Sequence, residues 1–264
     1  METIVPIHLA YGEHPSQFGL LRMPSLQEKQ LAPVAVVIHG GFWKARVGLE
    51  AIDPIAEDLA QRGYASWSIE YRRVGQTAGG WPGTFIDSVT AVNFLQQIQQ
   101  KFPIDLSRVV VIGHSAGGQL ALWLASRLNK RQPDELGDVL QVSIKAAVSL
   151  AGVSDLKKMW YRDSQQGDDN VAALIGGGPR EFPERYQSVS PYELLPIKVN
   201  QILLHGRKDQ VVPFELSNDY YEKAIKLGDP IHFISSPTAD HFEIIDPKQA
   251  VWQTAIDALA GILK

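Results

Sequence analysis

Ser115 stands in the stretch RVVVIGHSAGGQL, Arg108 to Leu120, between the aliphatic run Val109–Ile112 and a helical stretch that starts at Leu120. Gly113 and Gly117 flank it two residues away on each side, and Gly118 follows. A G-x-S-x-G sequence between a buried strand and a helix turns the chain sharply and holds the serine oxygen out at the apex. Side chains at the two glycine positions would collide with the turn and with neighbouring strands. The competing reading is an ordinary tight turn with a serine helix cap. A serine hydroxyl is a weak nucleophile unless a base lies within hydrogen-bond reach and an acid orients that base.

In a strand–serine–helix arrangement of this kind the partners follow in the order serine, acid, histidine. Of the seven histidines, only His205, His232 and His241 follow Ser115. His232 lies within a strand-like run, Ile231–Ser235, where the sheet holds its side chain. His205 ends the run Gln201–Leu204 and could orient an acid-bearing loop. His241 lies in SPTADHFEII, a loop between the last strand and the last helix, and is the expected base. The expected acid is Asp209, in QILLHGRKDQVVP just past a strand, with Asp155 in reserve. Asp209 read blandly is a turn aspartate.

Acyl transfer also needs donors for the developing oxyanion. VIHGGFW ends the first central strand, and Gly40 and Gly41 let the backbone approach a substrate. The N–H groups of Gly41 and Phe42 are expected to join that of Ala116, the residue after the serine, at a helix N-terminus. His39 then braces this loop. An ordinary glycine turn is the alternative; a dinucleotide loop is disfavoured because the G-x-G-x-x-G spacing is missing.

These residues need a scaffold, and apolar periodicity supplies one. Ile4–Leu9 and Phe18–Met23 read as an antiparallel pair at a sheet edge. Val34–His39, Tyr64–Tyr71, Val109–Ile112, Ile144–Leu150, Gln201–Leu204 and Ile231–Ser235 read as strands. Helices are expected around Ile52–Leu59, over Phe85–Phe102, from Leu120 to Leu128, over Leu216–Leu227, and last behind Asp246 as N-cap with Pro247 in the first turn. Strands alternating with helices imply a mostly parallel sheet of about eight strands covered on both faces. The segment Asp155–Lys198, with Gly176-Gly177-Gly178-Pro179 and three later prolines, is too long for a simple connection. It is expected to be a lid over the carboxyl end of the sheet with one or two short helices, within a single domain over residues 1–264.

Composition narrows the function classes. With 25 basic and 29 acidic residues and no long basic run, neither nucleic acid nor an anionic membrane is the expected partner. No cysteine is present, which removes disulfides, thiolate metal sites and a cysteine nucleophile. No cofactor and no metal are called for. No signal peptide is visible at Met1–Tyr11, and no apolar stretch approaches the roughly 18 residues of a membrane span. A cytoplasmic enzyme acting on a small-molecule ester or amide is expected, compatible with a homodimer; a mature secreted form is the alternative.

Together these motifs resemble the α/β-hydrolase superfamily across nearly the whole chain. HGGFW before GHSAG, with EYRRVG and GGWPGTFID, looks like its esterase–lipase branch and in particular arylformamidase-like (kynurenine formamidase) and bacterial carboxylesterase members. The resemblance implies a triad of Ser115, Asp209 and His241, an oxyanion hole of Gly41, Phe42 and Ala116, and hydrolysis of a small carboxylic ester or aryl formamide through an acyl-enzyme. Fold likeness does not separate these substrates from the peptides of related exopeptidases, or from a non-catalytic receptor on the same fold. Trp43, Trp81 and Trp160, with Tyr161, are candidate pocket aromatics or else ordinary packing residues. Arg72 and Arg73 could meet a substrate carboxylate.

Overall fold

The computed structural model describes residues 4–263. Residues 1–3 and 264, part of the domain expected over the whole chain, lie outside them. Among the described residues eight strands form one sheet: β1 (Ile7–Ala10), β2 (Phe18–Arg22), β3 (Ala32–Ile38), β4 (Ala65–Ile69), β5 (Ile104–His114), β6 (Ile144–Leu150), β7 (Asn200–Gly206) and β8 (Ile231–Ser236). Their spatial order is β1-β2-β4-β3-β5-β6-β7-β8. β1 pairs antiparallel with β2, and β2 antiparallel with β4, whereas every other pairing is parallel. The expected antiparallel pair therefore does form the edge, shifted to begin at Ile7.

Both faces of the central strands are buried, which explains their continuous apolar runs. Along β3, Val34, Val36 and Ile38 face one core while Ala35 and Val37 face the other. Along β5, Val109 and Val111 alternate in the same way with Val110 and Ile112. The strand order reverses at β3, which lies between β4 and β5. Ligands of open α/β sheets sit in the crevice at such a reversal, outside the carboxyl ends of the strands. Ile38 pairs with Gly113, so the loop after β3 and the turn after β5 emerge side by side at that crevice.

Ten α-helices surround the sheet among the described residues: α1 (Asp53–Gln61), α2 (Gly83–Asn93), α3 (Leu95–Gln99), α4 (Ala116–Ser126), α5 (Leu156–Gln166), α6 (Asn170–Ile175), α7 (Pro183–Val189), α8 (Pro191–Leu194), α9 (Phe214–Lys226) and α10 (Ala250–Ile262). Three departures from the sequence reading stand out. The single helix expected over Phe85–Phe102 is two, broken at Phe94. Asn93 is turned outward, donating to the Val139 carbonyl and accepting from the Gln141 N–H, while Ser88 and Thr90 bond back to carbonyls of their own helix. Such competition bends helices. Asp246 is not an N-cap. Its carboxylate takes the N–H of Lys248 and the side chain of Gln249, forming a turn that delays α10 to Ala250. The segment 155–198 holds four helices, α5 to α8, rather than one or two. Leu156, Met159, Val171, Leu174, Tyr186 and Val189 from this segment are buried in the same core as α4, so its extra helices are amphipathic elements of that core.

The last helix docks through Trp252, fully buried, whose indole N–H donates to Asp58 of α1 at 2.7 Å. Trp252→Ala is expected to lower the unfolding free energy by about 3–5 kcal/mol, read as a fall in the urea midpoint with little change in slope.

Candidate active site

Ser115 adopts φ 54° and ψ −117° between the end of β5 and the start of α4. A non-glycine residue holds such a backbone conformation only when its surroundings over-determine it. They do so here. The Ser115 N–H donates to the Leu150 carbonyl at 2.8 Å, and its own carbonyl receives the N–H of Gly118 at 3.0 Å. A Cβ at Gly113 would lie 2.0 Å from the Gly117 carbonyl oxygen, and one at Gly117 would lie 2.1 Å from that of Ile38. The two glycines are therefore steric requirements of the turn.

Asp209 and His241 meet. His241 Nδ1 donates to Asp209 Oδ2 at 2.7 Å. The other carboxylate oxygen accepts the N–H groups of Val211 and Val212, each at 2.8 Å. His205 is a further partner: its Nε2 lies 3.1 Å from Asp209 Oδ2 and 3.0 Å from the Val212 carbonyl. Both neighbours are acceptors, so the hydrogen-bond pattern places a proton on Nε2, while Nδ1 lies 2.7 Å from the Ser217 hydroxyl. The Asp209 side chain is fully buried. Burial alone would raise its pKa, but the hydrogen bonds from His205 and His241, the attraction of His241 and the Val212 N–H outweigh it and hold the carboxyl well below the usual carboxylate range.

His241 and Ser115 line one cavity of about 200 Å³ together with Gly40, Gly41, Phe42 and His114. Asp209 occupies Nδ1 of His241, and among the described residues Nε2 makes no hydrogen bond within the chain. Gly41 (φ 103°) and Phe42 (φ 52°) turn the loop after β3 through left-handed conformations. Among the described residues, the N–H groups of Gly41 and Phe42 donate to no backbone carbonyl, and Ala116 is the first residue of α4, whose N–H has no partner inside the helix.

His39 braces that loop. Its Nδ1 donates to the Gly40 carbonyl at 2.7 Å and its Nε2 lies 2.9 Å from Glu70 Oε1, while its ring stacks on Tyr71. Glu70, which the sequence reading did not single out, also takes the N–H of Leu49 and of Tyr71. His114 was missed as well. Its Nε2 donates to the His241 carbonyl at 2.9 Å, and its ring centre lies 4.5 Å from that of His241. Burial first, and then the neighbouring His241, push its pKa down to about 3, so it stays neutral at ordinary pH and keeps its donor on His241. Its place inside the G-x-S-x-G motif was the available signal.

The three tryptophans offered as pocket residues are not in this cavity. Trp43 is fully buried, its indole N–H donating to Gln119 of α4 at 3.1 Å. Trp81 packs edge-on against Phe85 and beneath the Arg185 guanidinium. Trp160 and Tyr161 line a separate groove with Gly178 and Arg180. The apolar wall comes instead from Phe42, Val47, Val211, Phe242 and Ile245. Phe242 and Val211 lie one and two residues beyond His241 and Asp209, so adjacency to the expected triad would have flagged them. Arg72 is engaged by Asp87 at 2.7 Å, and Arg73 lies 3.2 Å from Glu70. Asp155 caps α5 by accepting the Lys158 N–H, and burial raises its pKa. His232 is exposed on β8. Among the described residues no group of three or more His, Cys, Asp or Glu could hold a metal ion, and no helix is long and apolar enough to cross a membrane.

The family model BD-FAE matches residues 21–224 of the chain. Over 244 residues the chain is 27% identical to Esterase LipC of Mycobacterium tuberculosis, a match covering 89% of this chain and 59% of LipC, so the chain spans well under two thirds of that relative. A truncated form of a carbohydrate esterase from gut microbiota superposes with a TM-score of 0.83 at 22% identity, covering 97% of this chain and 94% of that one. The butyrate-bound esterase Est2 of Thermogutta terrifontis superposes with a TM-score of 0.77 at 20% identity, covering 97% and 94%. At these identities the structural likeness is one of fold, the α/β-hydrolase fold.

The depressed pKa of His114 makes a pH prediction. The unfolded chain takes up this proton near the ordinary value of about 6.5, whereas the native state resists it until about 3. Its contribution to stability is complete above about pH 6.5 and is lost as the pH falls toward 3. A His114→Asn variant should lose unfolding free energy less steeply over that window, by up to about 1.4 kcal/mol per pH unit, in urea unfolding measured from pH 7 to pH 4.

Proposed function

The chain belongs to the BD-FAE family, and on that premise we propose that it is a serine hydrolase that cleaves a small carboxylic ester or aryl formamide through an acyl-enzyme. One observation carries the reading. The imidazole that Asp209 holds by Nδ1 leaves Nε2 without a hydrogen-bond partner among the described residues, and it lines the same cavity as a serine strained to φ 54°.

In this mechanism Ser115 Oγ attacks the carbonyl or formyl carbon while His241 Nε2 takes its proton. The Asp209 carboxylate orients the ring and stabilises the imidazolium without accepting the proton itself. The tetrahedral oxyanion lies against the N–H groups of Gly41, Phe42 and Ala116; removal of one such donor typically costs about 3–4 kcal/mol of barrier. His241 returns the proton to the leaving alcohol or amine, and the acyl group stays on Ser115 Oγ. Water then attacks the acyl-enzyme with the same base, releasing the acid and the free serine.

The cavity supports a small, apolar acyl or aryl group. Its wall carries Phe42, Val47, Ala51, Val211, Phe242 and Ile245, with Arg46 as its one permanently charged residue. Butyrate bound to Est2 makes short acyl esters the natural first series to test. The receptor reading has no comparable observation in its favour, whereas 25% identity over 211 residues to YtmA of Bacillus subtilis, an uncharacterized peptidase, makes the peptidase reading the second one to test.

Ser115→Ala should remove turnover of p-nitrophenyl acetate by roughly 10⁴-fold or more while leaving the thermal unfolding midpoint in place, and a fluorophosphonate should label Ser115 in the parent protein alone. A folded alanine variant that hydrolyses the ester at the parental rate would overturn the assignment. Comparing kcat/KM for acyl esters of rising length with that for an aryl formamide decides between the two substrate classes.

A further inference from the structure

The loop that carries Asp209 is gripped from outside by a residue of the 155–198 segment. Arg162, on α5, donates through Nη2 to the Gln210 carbonyl at 2.6 Å and through Nη1 to the Val211 carbonyl. These two carbonyls belong to particular peptide units. The Gln210 carbonyl shares its peptide with the Val211 N–H, and the Val211 carbonyl shares its peptide with the Val212 N–H. Those are the two N–H groups that Asp209 Oδ1 accepts. The guanidinium and the carboxylate therefore sit at opposite ends of the same two peptide dipoles, the cation against both oxygens and the anion against both hydrogens.

We propose that Arg162 is a positioning residue for Asp209, acting through the peptide units 210–211 and 211–212. The role rests on the serine-hydrolase reading only for its effect on turnover; the hydrogen-bonded chain is independent of it. Two features separate this arrangement from a chance surface contact. Among the described residues, no carboxylate lies within ion-pair distance of Arg162, and both of its hydrogen bonds go to these two carbonyls. Its planar fork matches two successive carbonyls, a geometry that a lysine cannot reproduce. Hydrogen bonds linked in series through polarisable peptides strengthen one another. With Arg162 in place each peptide N–H is a better donor to Asp209, and the loop cannot rotate those donors away. His205, itself bonded to Ser217 of α9, holds the carboxylate from the end of β7, while Arg162 holds the loop's peptides from the side of the insertion. The 155–198 segment thus contributes to the candidate triad although none of its residues lines the Ser115 cavity.

The test combines turnover with a signal that needs no substrate. Arg162→Met, Arg162→Gln and Arg162→Lys are compared with the parent for kcat and KM on p-nitrophenyl acetate, for thermal midpoint, and for the downfield proton resonance of His241 Nδ1–H in the free protein. The expected result for Arg162→Met is a kcat lower by about ten- to a hundredfold, KM within twofold, a folded protein, and an upfield shift of that resonance. Arg162→Lys should recover part of both effects, because one ammonium can reach one carbonyl. If the methionine variant does not fold, the glutamine variant, which keeps a donor without the charge, is read by the same criteria. A folded neutral variant with parental kcat and an unmoved resonance overturns the proposal, as does a kcat loss whose resonance stays in place. A resonance that shifts in a protein whose parent form hydrolyses no ester would uphold the positioning role and reject the serine-hydrolase reading instead.

Discussion

A buried carboxylate with four donors organises the candidate site. Removing an ionised aspartate from water is costly unless its oxygens are satisfied. Asp209 meets that demand with two backbone N–H groups from its own loop and two imidazoles from elsewhere in the chain. The four donors come from three parts of the fold. His205 ends β7, Val211 and Val212 lead into α9, and His241 follows β8. The need to keep one carboxylate charged in an apolar setting thus ties together the last third of the fold. It also leaves Nε2 of His241, a residue of the cavity lining, without a hydrogen-bond partner among the described residues.

The other half of the site is a matter of sterics. The turn at Ser115 brings Gly113, Gly117 and the end of β3 so close that a single methyl group has no room. This crowding brings the serine and the β3 loop to one small crevice at the reversal of strand order. His39 and Glu70 hold the glycine loop open from behind. His114, neutral and pinned to the His241 carbonyl, links this half to the first.

Several features were legible in the residues because their causes are local. Continuous apolar runs marked the central strands, and the glycine spacing marked the turn. The order of serine, acid and histidine singled out Asp209 and His241, which the fold brings to 2.7 Å. Misreadings arose where a side chain took a partner that the apolar pattern does not mark. The break at Phe94 follows from Asn93 bonding to a loop more than 40 residues away. The late start of α10 reflects a turn competing for the Asp246 carboxylate. The tryptophans misled because a large aromatic ring is equally at home in a cavity wall and in a core, and Trp43 lies two residues from Gly41 yet points into α4.

The sequence by itself determined the strand–helix alternation, the placing of a serine at a forced turn and the residue types available for acyl transfer. All of these depend on neighbours within a few positions. Only the tertiary structure decided which side chains wall the cavity, that His205 and His114 support the histidine and its acid, and that Arg162 reaches the acid loop. Apart from His205 on Asp209, four residues away, these are contacts between segments far apart in the chain. No local periodicity encodes them, because they exist only once the sheet has brought the ends of β3, β5, β7 and β8 to one edge.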